Sequence, residues 1–204
     1  MFGSSSDASD VALLRRLAEG DSQAIGILYD RYASVLFPLA LRIVRDPAEA
    51  EDIVHDAFMV VGDRARQYAP ERGAVGAWLV ALVRNLSIDR MRRRERRGRL
   101  GRQILTHESV GRVADPEELT AEADLRNRVR RALQSLPEVQ RTTLEIAFFE
   151  GLSYPEISLR EGVPLGTIKS RVARALMSLR EALGKEGVLG ANVPPFGEAP
   201  KKDL

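Results

Sequence analysis

Ser153-Tyr154-Pro155-Glu156-Ile157-Ser158-Leu159-Arg160-Glu161-Gly162-Val163-Pro164-Leu165-Gly166-Thr167-Ile168-Lys169-Ser170-Arg171 is the stretch on which the reading of this chain turns. Ser153 and Glu156 stand three apart, the spacing of a capping box that starts a helix. Gly162 breaks that helix, and a second begins near Leu165. Two short helices around a tight glycine-containing turn, the second amphipathic, form a helix-turn-helix. On the second helix Ile168, Val172, Ala175, Leu176, Leu179 and Leu183 share one face by their three- and four-residue spacing and are expected to pack inward. Thr167, Ser170, Arg171 and Arg174 share the opposite face, with Lys169 beside them. Hydroxyls and guanidiniums in the N-terminal half of such a helix reach base edges and phosphates. Arginines on one helix are most simply a solvated face. Turn, caps and polar stripe in register point instead to a surface for duplex DNA.

Upstream, the sequence reads as more helices. One is expected from about Val11 to Glu19, ending at Gly20. Asp21 caps the next, in which Ile25, Leu28, Tyr29, Tyr32, Leu36, Ala40 and Ile43 recur at helical spacing. Asp46-Pro47-Ala48-Glu49 combines an N-cap Asp, a Pro in the first position and a Glu three residues after the cap. That helix is predicted to run to about Arg66, followed by a loop over 68–73. A long helix follows from about Ala74, with Val75, Trp78, Leu79, Leu82 and Leu86 on one face. Periodicity fades between Gly98 and Asp115, which reads as a flexible linker. Asp115-Pro116-Glu117-Glu118 restarts helix, with Leu119, Val129, Leu133 and Leu136 on its buried side, and three helices follow from Pro137. After Gly184 a Gly/Pro-rich tail is expected to be disordered. No segment alternates as a strand. The fold class is therefore all-α: two small helical domains, 10–97 and 116–184, joined by a flexible linker at 98–115 and followed by a tail at 185–204.

Composition narrows the chemistry. The 204 residues hold 31 basic and 29 acidic side chains, so the net charge of +2 says less than its distribution. There is no Cys, which excludes disulfides, thiolate zinc sites and cysteine nucleophiles. The two His, His55 and His107, lack ligand spacing, and no metal or cofactor is expected. No run is read as long and apolar enough to span a membrane. Met1 to Asp10 lacks the basic and apolar regions of a signal peptide, so a cytoplasmic protein is expected.

Two features of the first half stand out. Glu49, Asp52 and Asp56 fall within about 60° of each other on their helix at ~100° per residue, an acidic stripe suited to a basic protein partner. Read alone, it is a solubilising surface with a favourable carboxylate at the helix start. Opposite the apolar face of the long helix lie Arg84, Asn85, Ile88 and Arg92. The helix then enters a run containing Arg90, Arg92, Arg93, Arg94, Arg96 and Arg97. Like charges so dense repel one another, and a polyanion relieves the repulsion with release of counterions. Aromatics beside a basic groove stack on unpaired bases. Tyr68 is a candidate for that role, whereas Trp78 falls on the apolar stripe and is expected in the core.

Two positive surfaces on two helical domains suit two separate DNA segments. The linker of about 18 residues spans up to ~60 Å extended, more than a duplex turn of ~34 Å. At this point the chain resembles the extracytoplasmic-function sigma factors of the sigma-70 family. Leu28-Tyr29-Asp30-Arg31-Tyr32, Ala48-Glu49-Ala50-Glu51-Asp52-Ile53-Val54, Pro70-Glu71-Arg72-Gly73, Ala77-Trp78-Leu79 and Arg84-Asn85-Leu86-Ser87-Ile88-Asp89-Arg90 resemble region two. Phe149 to Ile157 and Pro164 to Arg171 resemble region four, so that the likeness covers about residues 10–97 and 117–183.

The resemblance implies a promoter-directing subunit of RNA polymerase and not an enzyme. It implies that Glu49, Asp52 and Asp56 dock on the clamp coiled coil of the largest subunit, with the flap a further contact. Tyr68, Arg84, Asn85, Ile88, Asp89 and Arg92 would capture the melted minus-ten strand. Thr167, Lys169, Ser170, Arg171 and Arg174 would read the minus-thirty-five major groove. The linker would thread towards the RNA exit path, and an anti-sigma factor would block both polymerase surfaces. Glu161 departs from the family pattern, which has an apolar residue there. Either the first helix of the motif is rotated or shortened, or Leu159 covers the gap. A response-regulator-like repressor or activator is the first alternative, but it needs a receiver or ligand domain, and the first half shows no βα alternation. A metal-dependent hydrolase using Glu49, Asp52 and Asp56 is the second, and those carboxylates show no pocket signal and no His.

Overall fold

The computed structural model describes residues 4–100 and 121–185. Among these it is helical, with no strand. The order is α1 (Ser4–Ala18), α2 (Gln23–Val44), α3 (Pro47–Arg64), α4 (Val75–Leu100), α5 (Ala121–Gln134), α6 (Glu138–Glu145), α7 (Tyr154–Glu161) and α8 (Leu165–Lys185). Short 3₁₀ turns lie at Ala65–Gln67 and Pro70–Arg72, and a π turn at Ile146–Glu150.

The first half is a bundle of α1 to α4. On α2 the stripe Leu28, Tyr32, Leu36, Ala40 and Ile43 is buried. By length and composition alone α2 is apolar enough to cross a membrane, contrary to the sequence expectation. Its apolar stripe is instead spent on the bundle core, against Ile53, Ala57 and Val61 of α3 and Val75, Leu79 and Val83 of α4. α3 begins as predicted: Asp46 is extended, its Oδ1 accepts from the Glu49 N–H at 3.0 Å, and Pro47 fills the first turn. α1 is pinned from inside. The Asp10 carboxylate is 1% exposed, accepts from the Tyr32 hydroxyl at 2.5 Å and pairs with Arg31. A buried carboxylate without such partners would be costly.

The second half is smaller. Ile146, Ile157 and Ile168 form its buried centre, with Ala147, Leu152, Tyr154 and Val163 packed around them. Ala132 and Leu136 of the α5 segment are also buried. Of the predicted inward face of α8, Ile168, Val172 and Ala175 are buried, and Leu176, Leu179 and Leu183 are half-buried.

Four boundaries differ from expectation, the first being α1, which starts at Ser4 and not near Val11. The last turn before Tyr68 is 3₁₀. The helix expected from Pro137 has its α portion end at Glu145, where it widens into the π turn. α4 continues through Gly98 to Leu100, where the linker was expected to begin. The rest of that linker, the Asp115 capping box with Leu119, and the tail beyond Lys185 lie outside the described residues.

Candidate nucleic-acid interface

The helix-turn-helix is built by local bonds. Ser153 N–H donates to Glu156 Oε2 at 2.6 Å, and Glu156 N–H donates to Ser153 Oγ at 3.4 Å, the reciprocal capping box. These hydrogen bonds from Ser153, with help from the Arg92 charge, hold the Glu156 carboxyl below the usual carboxylate range. Gly162 ends α7 in the left-handed region, at φ 64°, where a residue with a Cβ is strained. Its N–H and that of Val163 both donate to Ser158 O, and Ser158 Oγ donates back to Val163 O at 2.6 Å. Backbone and hydroxyl bonds therefore hold the turn locally. Glu161 is exposed, and Leu159, at 87% exposed, does not cover the gap. Val163, just beyond the turn, packs on the small core.

This scaffold presents the predicted polar stripe. Lys169 and Arg174 are exposed, and Thr167, Ser170 and Arg171 are half-buried. Ser170 Oγ donates to Thr167 O at 2.9 Å. Arg171 and Arg174 stand one turn apart on α8, Arg174 exposed and Arg171 half-buried at the edge of the Ile168 and Val172 face.

The first half carries two surfaces. On α3, Asp52 and Asp56 are exposed and Glu49 is half-buried. α4 runs alongside and partly neutralises the stripe. Arg94 lies 3.6 Å from Glu49, and Arg90 lies 3.6 Å from Asp56. Partly exposed pairs of this kind contribute little, about 0–1 kcal/mol. Sequence reasoning missed this use of Arg90 and Arg94. Their spacing, one turn apart on α4, was its available signal. Arg90, Arg93, Arg96 and Arg97 line an open concavity of ≈ 550 Å³, a concentrated positive surface suited to phosphates.

The expected strand-capturing residues do not form one free surface. Asp89 is exposed and Asn85 half-buried. Tyr68 is half-buried: its hydroxyl donates to Gly73 O at 2.7 Å, and its ring packs on Trp78 at 5.4 Å between centroids. It thus braces the 68–73 loop, and Trp78 packs on the core as predicted. Arg84, Ile88 and Arg92 meet the second half of the chain. Arg84 Nε donates to Phe148 O at 2.8 Å and Nη2 to Ala147 O at 2.6 Å. Burial, then the Arg92 charge, pushes Arg84 below the usual arginine range. Among the described residues no group of three or more His, Asp and Glu is placed to hold a metal.

Residues 28–97 match the family model for Sigma-70 region 2, and residues 126–179 match that for Sigma-70, region 4. The chain is 36% identical over 176 residues to the ECF RNA polymerase sigma factor SigK of Mycobacterium sp. (strain KMS), covering 84% of this chain and 89% of that protein. This chain belongs to the extracytoplasmic-function sigma factors of the sigma-70 family. The SigK of Mycobacterium tuberculosis (strain ATCC 25177 / H37Ra) is 32% identical over 84% of this chain and 92% of its own length. Among solved structures, Rhodobacter sphaeroides SigE in complex with the anti-sigma ChrR is 30% identical, with a TM-score of 0.44, over 84% of this chain and 96% of that one. Within this sigma factor, region two is the α2–α4 bundle with its acidic stripe and arginine run. Region four contains the helix-turn-helix of α7 and α8. The family matches begin later than the helical likeness read from sequence, at residues 28 and 126.

Proposed function

We propose that this sigma factor works in the cytoplasm as a non-enzymatic subunit, placing core RNA polymerase at promoters with a division of labour between its halves. The α3 stripe of Glu49, Asp52 and Asp56 docks on the basic clamp coiled coil of the largest polymerase subunit, and region four sits near the flap. Arg84, Asn85, Ile88, Asp89 and Arg92 of α4 hold the melted minus-ten strand. Tyr68 supports the adjoining loop. Extruding a base costs a few kcal/mol, so this face must favour single strands over duplex. Thr167, Lys169, Ser170, Arg171 and Arg174 read the minus-thirty-five major groove. An anti-sigma factor holds the protein idle by covering the polymerase-binding surfaces.

The observation that carries this reading is the α8 stripe: a polar, cationic helix face set outward by a turn locked through Ser158, Gly162 and Val163. The test is reconstitution. Purified core polymerase given this chain and genomic templates should start transcripts at a defined set of sites that core alone does not use. A chain that binds duplex promoter DNA but neither co-purifies with core polymerase nor starts transcripts would be a repressor, and the proposal would be wrong.

A further inference from the structure

The start of α8 carries two residues that the interior of the protein does not use. Leu165 opens the helix and is 38% exposed, whereas Ile168, three residues on, is fully buried. With Leu159, Val163 and Pro164 it lines an open, largely apolar concavity of ≈ 540 Å³ beside the turn. The backbone closes the first turn: Pro164 O accepts from the N–H of Thr167 at 2.8 Å and of Ile168 at 3.2 Å. Leu165 is therefore carried on a rigid element. Gly166 follows it in the helix. A Cβ at Gly166 would meet nothing within 4 Å, and its φ is not positive. Neither packing nor backbone conformation asks for a glycine here, and glycine is a poorer helix former than alanine. What glycine does allow is close approach of a ligand to the backbone.

The surroundings indicate the ligand. From Gly162 to Arg180 the chain has four cations, Lys169, Arg171, Arg174 and Arg180, and no acidic residue. Lys169, four residues on from Leu165, is exposed on the same side. That flank of charge suits a polyanion and not a purely apolar protein surface. In a helix-turn-helix the first residues of the second helix contact base edges. Base edges in the major groove offer hydrogen-bonding groups and one apolar group, the C5-methyl of thymine. Leucine leaves a donor or acceptor unpaired, which is costly, but packs well on a methyl. We infer that Leu165 is a thymine-reading residue of the minus-thirty-five site, packing on a C5-methyl while Gly166 lets the start of α8 seat close against the bases. The inference rests on the assignment of α8 to the minus-thirty-five groove. It adds to that assignment a requirement for an A·T pair where Leu165 meets the groove.

The experiment uses reconstituted holoenzyme and a promoter duplex with a mapped minus-thirty-five element. Each thymine of the element, on either strand, is replaced singly by uracil, which removes the methyl and keeps every hydrogen-bonding group. With the wild-type chain, the exchange at one thymine should weaken promoter binding about fourfold, the worth of burying one methyl-sized group. Leu165→Ser should bind the thymine and uracil duplexes equally. Leu165→Met, which stays apolar, should keep the preference. Both changes fall at an exposed position, so thermal melts of the free chain should match wild type. Gly166→Ala should melt no lower than wild type, yet bind thymine and uracil duplexes alike roughly tenfold more weakly, the loss of about one base contact. Uracil tolerated at every position by wild type, or a thymine preference that survives Leu165→Ser, overturns the inference. So does a Leu165→Ser chain that associates poorly with core polymerase and still discriminates thymine, which would make the concavity a protein-docking site. A Gly166→Ala chain that binds like wild type overturns the close approach. Holoenzyme that protects no minus-thirty-five duplex is a different result: it removes the assignment of α8, and the role of Leu165 with it.

Discussion

Arg171, proposed to read DNA, and Glu156, a helix cap, stand for two kinds of work a single side chain can do. A guanidinium on α8 contacting a guanine edge would contribute about 1–3 kcal/mol of discrimination. Arg171→Ala should therefore weaken binding of the minus-thirty-five duplex roughly 5- to 150-fold with core polymerase affinity unchanged, as measured by promoter titration with reconstituted holoenzyme. Glu156 acts within the fold. Its carboxyl is held below its ordinary value of 4.5, chiefly by the hydrogen bonds with Ser153. A carboxylate depressed in the folded state adds stability that is complete above the unfolded value and is lost as pH falls through the folded one. Ser153→Ala should cost about 1 kcal/mol at neutral pH, and the deficit should shrink as denaturation is repeated from about pH 5 down to about pH 3. The Ser153–Glu156 cap was legible because it follows from spacing, a residue three positions from its partner; the polar face of α8 was legible because it repeats every three or four residues. Tyr68 was less so. Its ring contact with Trp78 and its bond to Gly73 O depend on how a loop folds back, which periodicity does not encode.

Among the elements, α7 is the sharpest case. It is short and buries one side chain fully, Ile157, at 0% exposed. Ile157→Ala should cost about 2–5 kcal/mol and melt the helix-turn-helix first, whereas Leu159→Ser should change stability by less than about 0.5 kcal/mol. Thermal melts followed by circular dichroism separate the two. Helix starts were readable at Asp46 and Ser153 because caps are local chemistry. Helix ends were read less well. Gly98 suggested a stop, yet α4 continues to Leu100. Its arginines find carboxylates and carbonyls on neighbouring elements, as Arg94 does with Glu49 and Val44 O, and this relieves the repulsion expected from the run. The π turn left no sequence signal, since Ile146 to Phe149 reads as continuous helix. On α4 the same reasoning assigns Asn85 to the strand and not to the polymerase. Asn85→Ala should slow promoter opening while leaving core binding intact, which permanganate reactivity of the melted strand would register.

At the scale of the molecule, the helical class and the two halves followed from patterning, because each half has an apolar set sufficient for its own core. How the halves meet did not. That contact is made of guanidiniums on backbone carbonyls and an isoleucine over a glycine, none of which repeats along the sequence. The central claim is that one half takes an opened strand and the other an intact groove on the same promoter. Tethered cleavage tests it most directly. Arg93→Cys on α4 and Ala173→Cys on α8, both exposed and beside the assigned faces, would each carry an iron chelate in holoenzyme on a mapped promoter. Cleavage from position 93 should centre near minus ten and cleavage from position 173 near minus thirty-five, about two duplex turns apart at ~10.5 base pairs per turn. Overlapping cleavage from the two positions, or cleavage from position 173 confined to the melted strand, would contradict the account.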